Sequence, residues 1–103
     1  MIFDPNKNVP IEKISAFCRE HPIIAKMSLF GSALSGKMRK ESDIDLLIEF
    51  EPGKTPSLFA IINLENELTA VLGRKTDLRT PEELSSYFRN EVLDQARSLY
   101  VKS

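Results

Sequence analysis

The 103-residue sequence has no tryptophan and only one cysteine, one histidine and four glycines. A lone Cys18 excludes an internal disulfide and fits a reducing compartment. Fourteen Lys and Arg residues nearly balance fifteen Asp and Glu residues, which argues against a broad basic surface for duplex DNA. Apolar runs such as Leu46–Ile48 are only a few residues long, which argues against a membrane span. Together with a start that does not resemble a signal peptide, these absences predict a soluble, cytoplasmic protein.

The composition is that of an ordinary globular domain, with 42% hydrophobic and 28% charged residues. The length matches one domain on the usual scale of about 100–200 residues per domain. No repeat and no linker divides the chain. We therefore expect residues 1–9 to form a flexible lead-in and residues 10–103 to form a single domain.

Apolar periodicity predicts alternating helices and strands. The predicted elements are a helix from Pro10 to about Glu20, a strand over Ile23–Phe30, a short helix or turn over Ser32–Gly36, a strand over Asp43–Glu51, a helix from Ser57 to about Leu72, a strand over Lys75–Arg79, a short turn after Thr80, and a last helix from about Asn90 that includes Leu99 and Tyr100. The order αβαβαβα predicts an α/β fold, with a small mixed three-stranded sheet flanked by about four helices.

Acidic residues alternate with apolar ones at the start of the second predicted strand. Asp43 and Asp45 point to the same face, with Cα atoms roughly 6.5–7 Å apart. Two carboxylates at this separation repel each other unless a cation neutralises them, and Mg²⁺ prefers such oxygen ligands and shares them with phosphates. If the third strand lies beside the second, Asp77 completes a cluster of three carboxylates. Such a cluster suits metal-assisted phosphoryl transfer.

A second candidate feature follows the first strand directly. Gly31 allows a phosphate to approach the backbone closely, and the N–H groups of the following turn can face that phosphate. The Ser32 hydroxyl can donate to a phosphate oxygen. Three basic residues of the next loop can add positive charge, although a solvated loop is the simpler interpretation: Lys37, Arg39 and Lys40.

These two features together resemble the minimal nucleotidyltransferases of the polymerase-β-type superfamily, and the resemblance covers most of the chain. It implies the nucleotidyltransferase fold and an ATP substrate or another nucleoside triphosphate. It also implies one or two Mg²⁺ ions. The implied roles are triphosphate binding by Gly31 and Ser32, metal binding by Asp43 and Asp45, and completion of the metal site and activation of an acceptor hydroxyl by Asp77.

The resemblance further implies a partner. Many such short proteins are MntA-like antitoxins of HEPN/MNT toxin–antitoxin systems. Some of them transfer AMP to a tyrosine of a HEPN-domain ribonuclease toxin, which is here expected on a separate chain. The family often carries Arg where this sequence has Ser35. The alternative function is therefore a catalytically weak or inactive antitoxin that neutralises the partner by direct binding.

Simpler interpretations remain open for the same residues. Asp43 and Asp45 can be solvated residues at a strand start, and Asp77 can pair with a neighbouring cation, namely Lys75, Arg74 or Arg79. A metal-dependent phosphatase or nuclease is a weaker third hypothesis. Apolar residues of the last helix, such as Val92 and Leu99, leave room for a partner or a second copy of the chain.

Overall fold

The structure is a computed structural model that describes residues 10–31, 43–84 and 89–102. The predicted lead-in over residues 1–9 and the predicted turn over 32–36 lie outside the described residues. The described elements are α1 (Ile11–Arg19), β1 (Ile24–Phe30), β2 (Ile44–Phe50), α2 (Leu58–Leu72), β3 (Thr76–Arg79), a short 3₁₀ helix (Pro81–Glu83), α3 (Arg89–Gln95) and β4 (Arg97–Val101). Among these residues, no helix is long and apolar enough to cross a membrane.

The strands form one mixed sheet in the order β3-β2-β1-β4. β1 pairs antiparallel with both β2 and β4, whereas β2 pairs parallel with β3. A parallel pair requires a crossover connection, and α2 supplies it between β2 and β3. The predicted α/β class with a mixed sheet is therefore confirmed.

The fourth strand corrects the sequence prediction. The last predicted helix is confirmed over Arg89–Gln95 but is wrong for Arg97–Val101, which forms β4. The described part of the chain therefore has a sheet of four strands rather than the predicted three. A register shift in the β1–β4 pairing leaves Leu99 without a partner residue on β1, and both Leu99 and Tyr100 pack against the core. Such a bulge breaks the period of two, which is why this strand resembled a helix in the sequence.

The core lies between one face of the sheet and the helices α1 and α2. Alternate residues of each central strand point to this face, as the period of a strand requires. The cluster of buried residues comprises Ile14, Phe17, Cys18, Ile24, Met27, Leu29, Ile44, Leu46, Ile48, Leu64, Leu68 and Leu78. Asp45 alternates with Ile44 and Leu46 and therefore lies on the opposite face of the sheet.

The predicted ends of α2 are confirmed in detail. The Ser57 hydroxyl accepts a hydrogen bond from the Ala60 N–H at 3.3 Å, which satisfies one of the free donors at the helix start. Gly73 ends the helix in the left-handed conformation, with φ of +67°, and its N–H donates to the Thr69 carbonyl. Local sequence chemistry thus places both ends of the crossover helix.

The residue after β1 must be glycine for two reasons. Gly31 has φ of +79°, a conformation that side chains disfavour. Its backbone also lies against the carboxylate of Asp45, so that a Cβ atom at this position would overlap Asp45 Oδ2. The contact arises because Phe30 is the register partner of Asp45.

We expect Gly31→Ala to lower the free energy of unfolding more than Gly53→Ala does. Gly53 also has a positive φ, +74°, but a Cβ there meets nothing within 4 Å. Both variants lose about 1–2 kcal/mol from the disfavoured backbone conformation. Gly31→Ala loses roughly a further 1 kcal/mol or more from the overlap with Asp45. Urea denaturation of the two variants measures the difference, and equal losses would contradict a tight Gly31–Asp45 contact.

Burial raises the pKa of the Cys18 thiol to about 12, and the nearby Arg19 only partly opposes this effect. Because the unfolded thiol ionises at lower pH, the stability from the neutral thiol is present below about pH 9 and is lost as pH rises towards 12. We expect the unfolding free energy of the wild type to fall more than that of Cys18→Ala between about pH 8 and 10.5. Urea denaturation at both pH values tests this, and parallel losses in the two proteins would contradict it.

Candidate active site

Asp45 and Asp77 are neighbours across the parallel pair of strands. The register places Asp45 of β2 directly beside Asp77 of β3. Adjacent strands lie about 4.8 Å apart, and paired residues point to the same face. The condition on which the sequence prediction depended, that the third strand lie beside the second, is therefore met. Both carboxylates are half-buried and lie on the face away from α1 and α2.

Asp43 directly precedes β2, and continued alternation of the strand predicts the face of Asp45 for its side chain. Its carboxylate oxygen lies 3.9 Å from Lys75 Nζ, and the two side chains are 40% and 72% exposed. An ion pair this long and this exposed contributes at most about 1 kcal/mol. The Lys75 contact is therefore too weak to prevent the Asp43 carboxylate from binding a cation.

The basic residues next to Asp77 have other acidic partners. Among the described residues, the ion pair of Lys75 is with Asp43, and that of Arg79 is with Glu83 at 3.6 Å. The alternative in which Lys75 or Arg79 simply neutralises Asp77 therefore loses support. Arg79 instead links the end of β3 to the 3₁₀ helix.

The three candidate carboxylates do not form a preformed metal site. In the described part of the chain, no three Asp, Glu, His or Cys side chains are gathered closely enough to hold a metal ion. The donor set fits Mg²⁺ all the same, because carboxylate oxygens are the protein ligands that this cation prefers. Asp43, Asp45 and Asp77 are the residues that would hold it.

The predicted phosphate-binding turn is described only at its first residue. Gly31 lies against Asp45, so the start of that turn and the candidate metal ligands adjoin each other. Ser32, Ser35 and the three basic loop residues lie outside the described residues. The proximity of Gly31 to Asp45 is what a site shared by a triphosphate and a cation requires.

Glu65 is a residue whose role the sequence did not reveal. It interrupts the apolar stripe of α2, and its Oε2 accepts a hydrogen bond from the Leu78 N–H at 2.9 Å. One helical turn later, Thr69 Oγ1 accepts from the Thr76 N–H at 3.2 Å. These two contacts flank Asp77 on β3. The sequence offered one signal for this role: a carboxylate and a hydroxyl lie four residues apart within an apolar helix face.

The single histidine, His21, lies just after α1, on the helix side of the sheet and away from the carboxylates. His21 Nδ1 lies 2.8 Å from the Phe17 carbonyl oxygen, and its ring stacks on that of Phe17. Its Nε2 lies 3.4 Å from the Glu67 carboxylate, which joins the end of α1 to α2. These contacts give His21 a structural role at the end of α1.

The chain matches the model of the family described as "Polymerase beta, Nucleotidyltransferase" over residues 12–103. A curated relative is the protein adenylyltransferase MntA of Thermococcus cleftensis. The two sequences are 37% identical over 75 residues, which cover 73% of this chain and 74% of the relative.

Solved structures agree with the sequence comparison. A chain from a crystal structure of a toxin–antitoxin with AMP-PNP has a TM-score of 0.77 and 25% identity, over 92% of this chain and 76% of that one. A chain from the complex of tri-AMPylated Shewanella oneidensis HEPN toxin with MNT antitoxin has a TM-score of 0.69. At 23% identity, over 96% of this chain and 74% of that one, this second likeness shows the fold. The chain therefore belongs to the polymerase-β-type nucleotidyltransferase family and is similar to its small MntA protein adenylyltransferases.

Proposed function

We propose that this protein is a Mg²⁺-dependent protein adenylyltransferase that transfers AMP from ATP to a hydroxyl of a HEPN-domain toxin and so acts as its antitoxin. The observation that carries the proposal is the register of β2 and β3, which sets Asp45 beside Asp77. Asp43 directly precedes β2. Family membership supports the reaction type. The MntA relative and the AMP-PNP complex of a structural neighbour support AMP as the transferred group.

The residues divide the work of the transfer. Gly31 lets the triphosphate approach the backbone beside Asp45. Asp43 and Asp45 are the primary metal ligands, and Mg²⁺, when bound, neutralises charge on the triphosphate. Asp77 completes this set and accepts the proton of the acceptor hydroxyl. The hydroxyl oxygen forms a bond to the α-phosphorus of ATP, the bond from that phosphorus to the bridging oxygen breaks, and pyrophosphate leaves.

We propose a tyrosine of the partner as the acceptor, as the family resemblance implies. A structural neighbour is part of a complex with an AMPylated HEPN toxin, which supports this class of partner. The reaction belongs in the cytoplasm, where ATP is available and a reducing environment suits the lone Cys18.

A second candidate function is neutralisation by direct binding, with little or no transfer. The observation that favours it is Ser35, which stands where the family often carries Arg. A side chain of Ser has no charge with which to hold a triphosphate. In this alternative, the fold masks the toxin surface, and the carboxylates are dispensable.

Replacement of the two primary metal ligands tests the enzyme proposal. We expect Asp43→Asn combined with Asp45→Asn to lower AMP transfer to the purified partner by about a hundredfold or more, because a neutral amide oxygen holds Mg²⁺ much more weakly than a carboxylate does. Radiolabelled ATP with the product of the neighbouring gene provides the assay, and EDTA should abolish transfer by the wild type. The matched control is Glu67→Gln, which removes a carboxylate on the helix side of the sheet.

The same variants separate the two candidate functions. If transfer inhibits the toxin, ribonuclease activity falls only with ATP present, and the aspartate variants do not inhibit it. If binding inhibits the toxin, a stoichiometric complex suffices without ATP, and the aspartate variants inhibit as well as the wild type does. Full AMP transfer by the double variant would defeat the proposed role of these carboxylates.

A further inference from the structure

β3 is a short edge strand that carries one of the proposed metal ligands. It spans only Thr76–Arg79, and among the described residues it has β2 on one side and no strand on the other. An edge of this kind presents unpaired N–H groups, and a strand of four residues has few hydrogen bonds to hold its register. The position of Asp77 therefore depends on whatever occupies the outer edge.

Two side chains of α2 occupy that edge. The Lys75 carbonyl accepts a hydrogen bond from the Ile44 N–H at 2.9 Å, so the backbone groups of Lys75 point towards β2. Because backbone groups alternate in direction along a strand, those of Asp77 also point towards β2. The N–H groups of Thr76 and Leu78 point away from β2, and they donate to Thr69 Oγ1 and Glu65 Oε2. Both neighbours of Asp77 are thus held from the side opposite β2.

Packing alone does not explain a carboxylate at position 65. Leu64 and Leu68 already fill the core face of α2, and an apolar residue at position 65 would extend that face. A hydrogen bond to a side-chain oxygen has a preferred distance and angle, whereas an apolar contact is not directional. The contact with Leu78 therefore fixes the register of β3 relative to α2, in addition to holding the strand against the helix.

We infer that Glu65, assisted by Thr69, is a positioning residue that keeps the carboxylate of Asp77 opposite Asp45. A slip of one residue in β3 would turn Asp77 to the core face and bring Thr76 or Leu78 to the metal face. The inference rests on the proposed function, because it concerns the third ligand of the proposed cation site.

The test compares variants that differ in charge and in acceptor atoms. Glu65→Leu removes the charge and the acceptor oxygens. Glu65→Gln removes the charge but keeps an oxygen that can accept a hydrogen bond from the Leu78 N–H. Glu67→Leu is the matched control, since Glu67 lies on the same helix but contacts His21. Thr69→Val, which is nearly isosteric, removes the acceptor for Thr76 and keeps the test open if Glu65→Leu does not fold.

Three measurements are made on each folded variant: amide hydrogen exchange by NMR, Mn²⁺ binding by EPR with the metal alone, and AMP transfer. In Glu65→Leu we expect faster exchange at Leu78 and a half-saturating Mn²⁺ concentration about tenfold higher, as loss of a supporting contact to a ligand typically causes. In Thr69→Val we expect a smaller change in the same direction, with faster exchange at Thr76. Glu65→Gln and Glu67→Leu should stay within about twofold of the wild type in Mn²⁺ binding. The kcat of transfer should follow Mn²⁺ affinity, with the KM for ATP little changed.

Two results would overturn the inference. If Glu65→Leu binds Mn²⁺ as Glu67→Leu does, or if Glu65→Gln is as impaired as Glu65→Leu, then Glu65 does not act by positioning β3. Either result is compatible with weaker Mn²⁺ binding by Asp45→Asn. In that case the proposed function stands, and only the role of Glu65 is rejected. Unchanged Mn²⁺ binding in Asp45→Asn would overturn the proposed cation site itself, and the inference with it.

Discussion

The parallel pairing of β2 with β3 is the constraint on which the candidate site depends. Asp45 and Asp77 are 32 positions apart in the sequence, and only this register makes them neighbours. The pairing in turn requires α2, since parallel strands need a long crossover connection. α2 also supplies side chains that hold the outer edge of β3, so one helix both creates the pair and maintains its register.

The alternation of β2 lets a single strand serve stability and chemistry together. Ile44, Leu46 and Ile48 enter the core, whereas Asp45 lies on the other face. Because the apolar residues would be exposed after any slip of one position, the core itself fixes the face on which the carboxylate lies. The packing that stabilises the fold is therefore also what orients the candidate ligands, and Gly31 adds a close contact behind Asp45.

Most of the fold was predictable because its signals are local. Ser57 and Gly73 mark the ends of α2 through hydrogen bonds within a few residues, and the alternation of β2 is visible in the sequence. β4 was not predictable in this way. Its residues pair with β1, which is distant in the sequence, and so no local signal marks the pairing. A bulge at Leu99 also disrupts the alternation of side chains that identifies a strand. The role of Glu65 was not predictable for a similar reason, since its partner is a backbone N–H thirteen residues away.

The sequence by itself determined which residues carry carboxylates, which face of β2 they occupy and which family they resemble, because these follow from residue type and from a period of two. Only the tertiary structure decided that Asp77 lies beside Asp45, that Glu65 and Thr69 accept hydrogen bonds from β3, and that Arg97–Val101 forms a strand. These features arise from contacts between distant segments, in which the need to satisfy the backbone groups of sheet edges outweighs local preference.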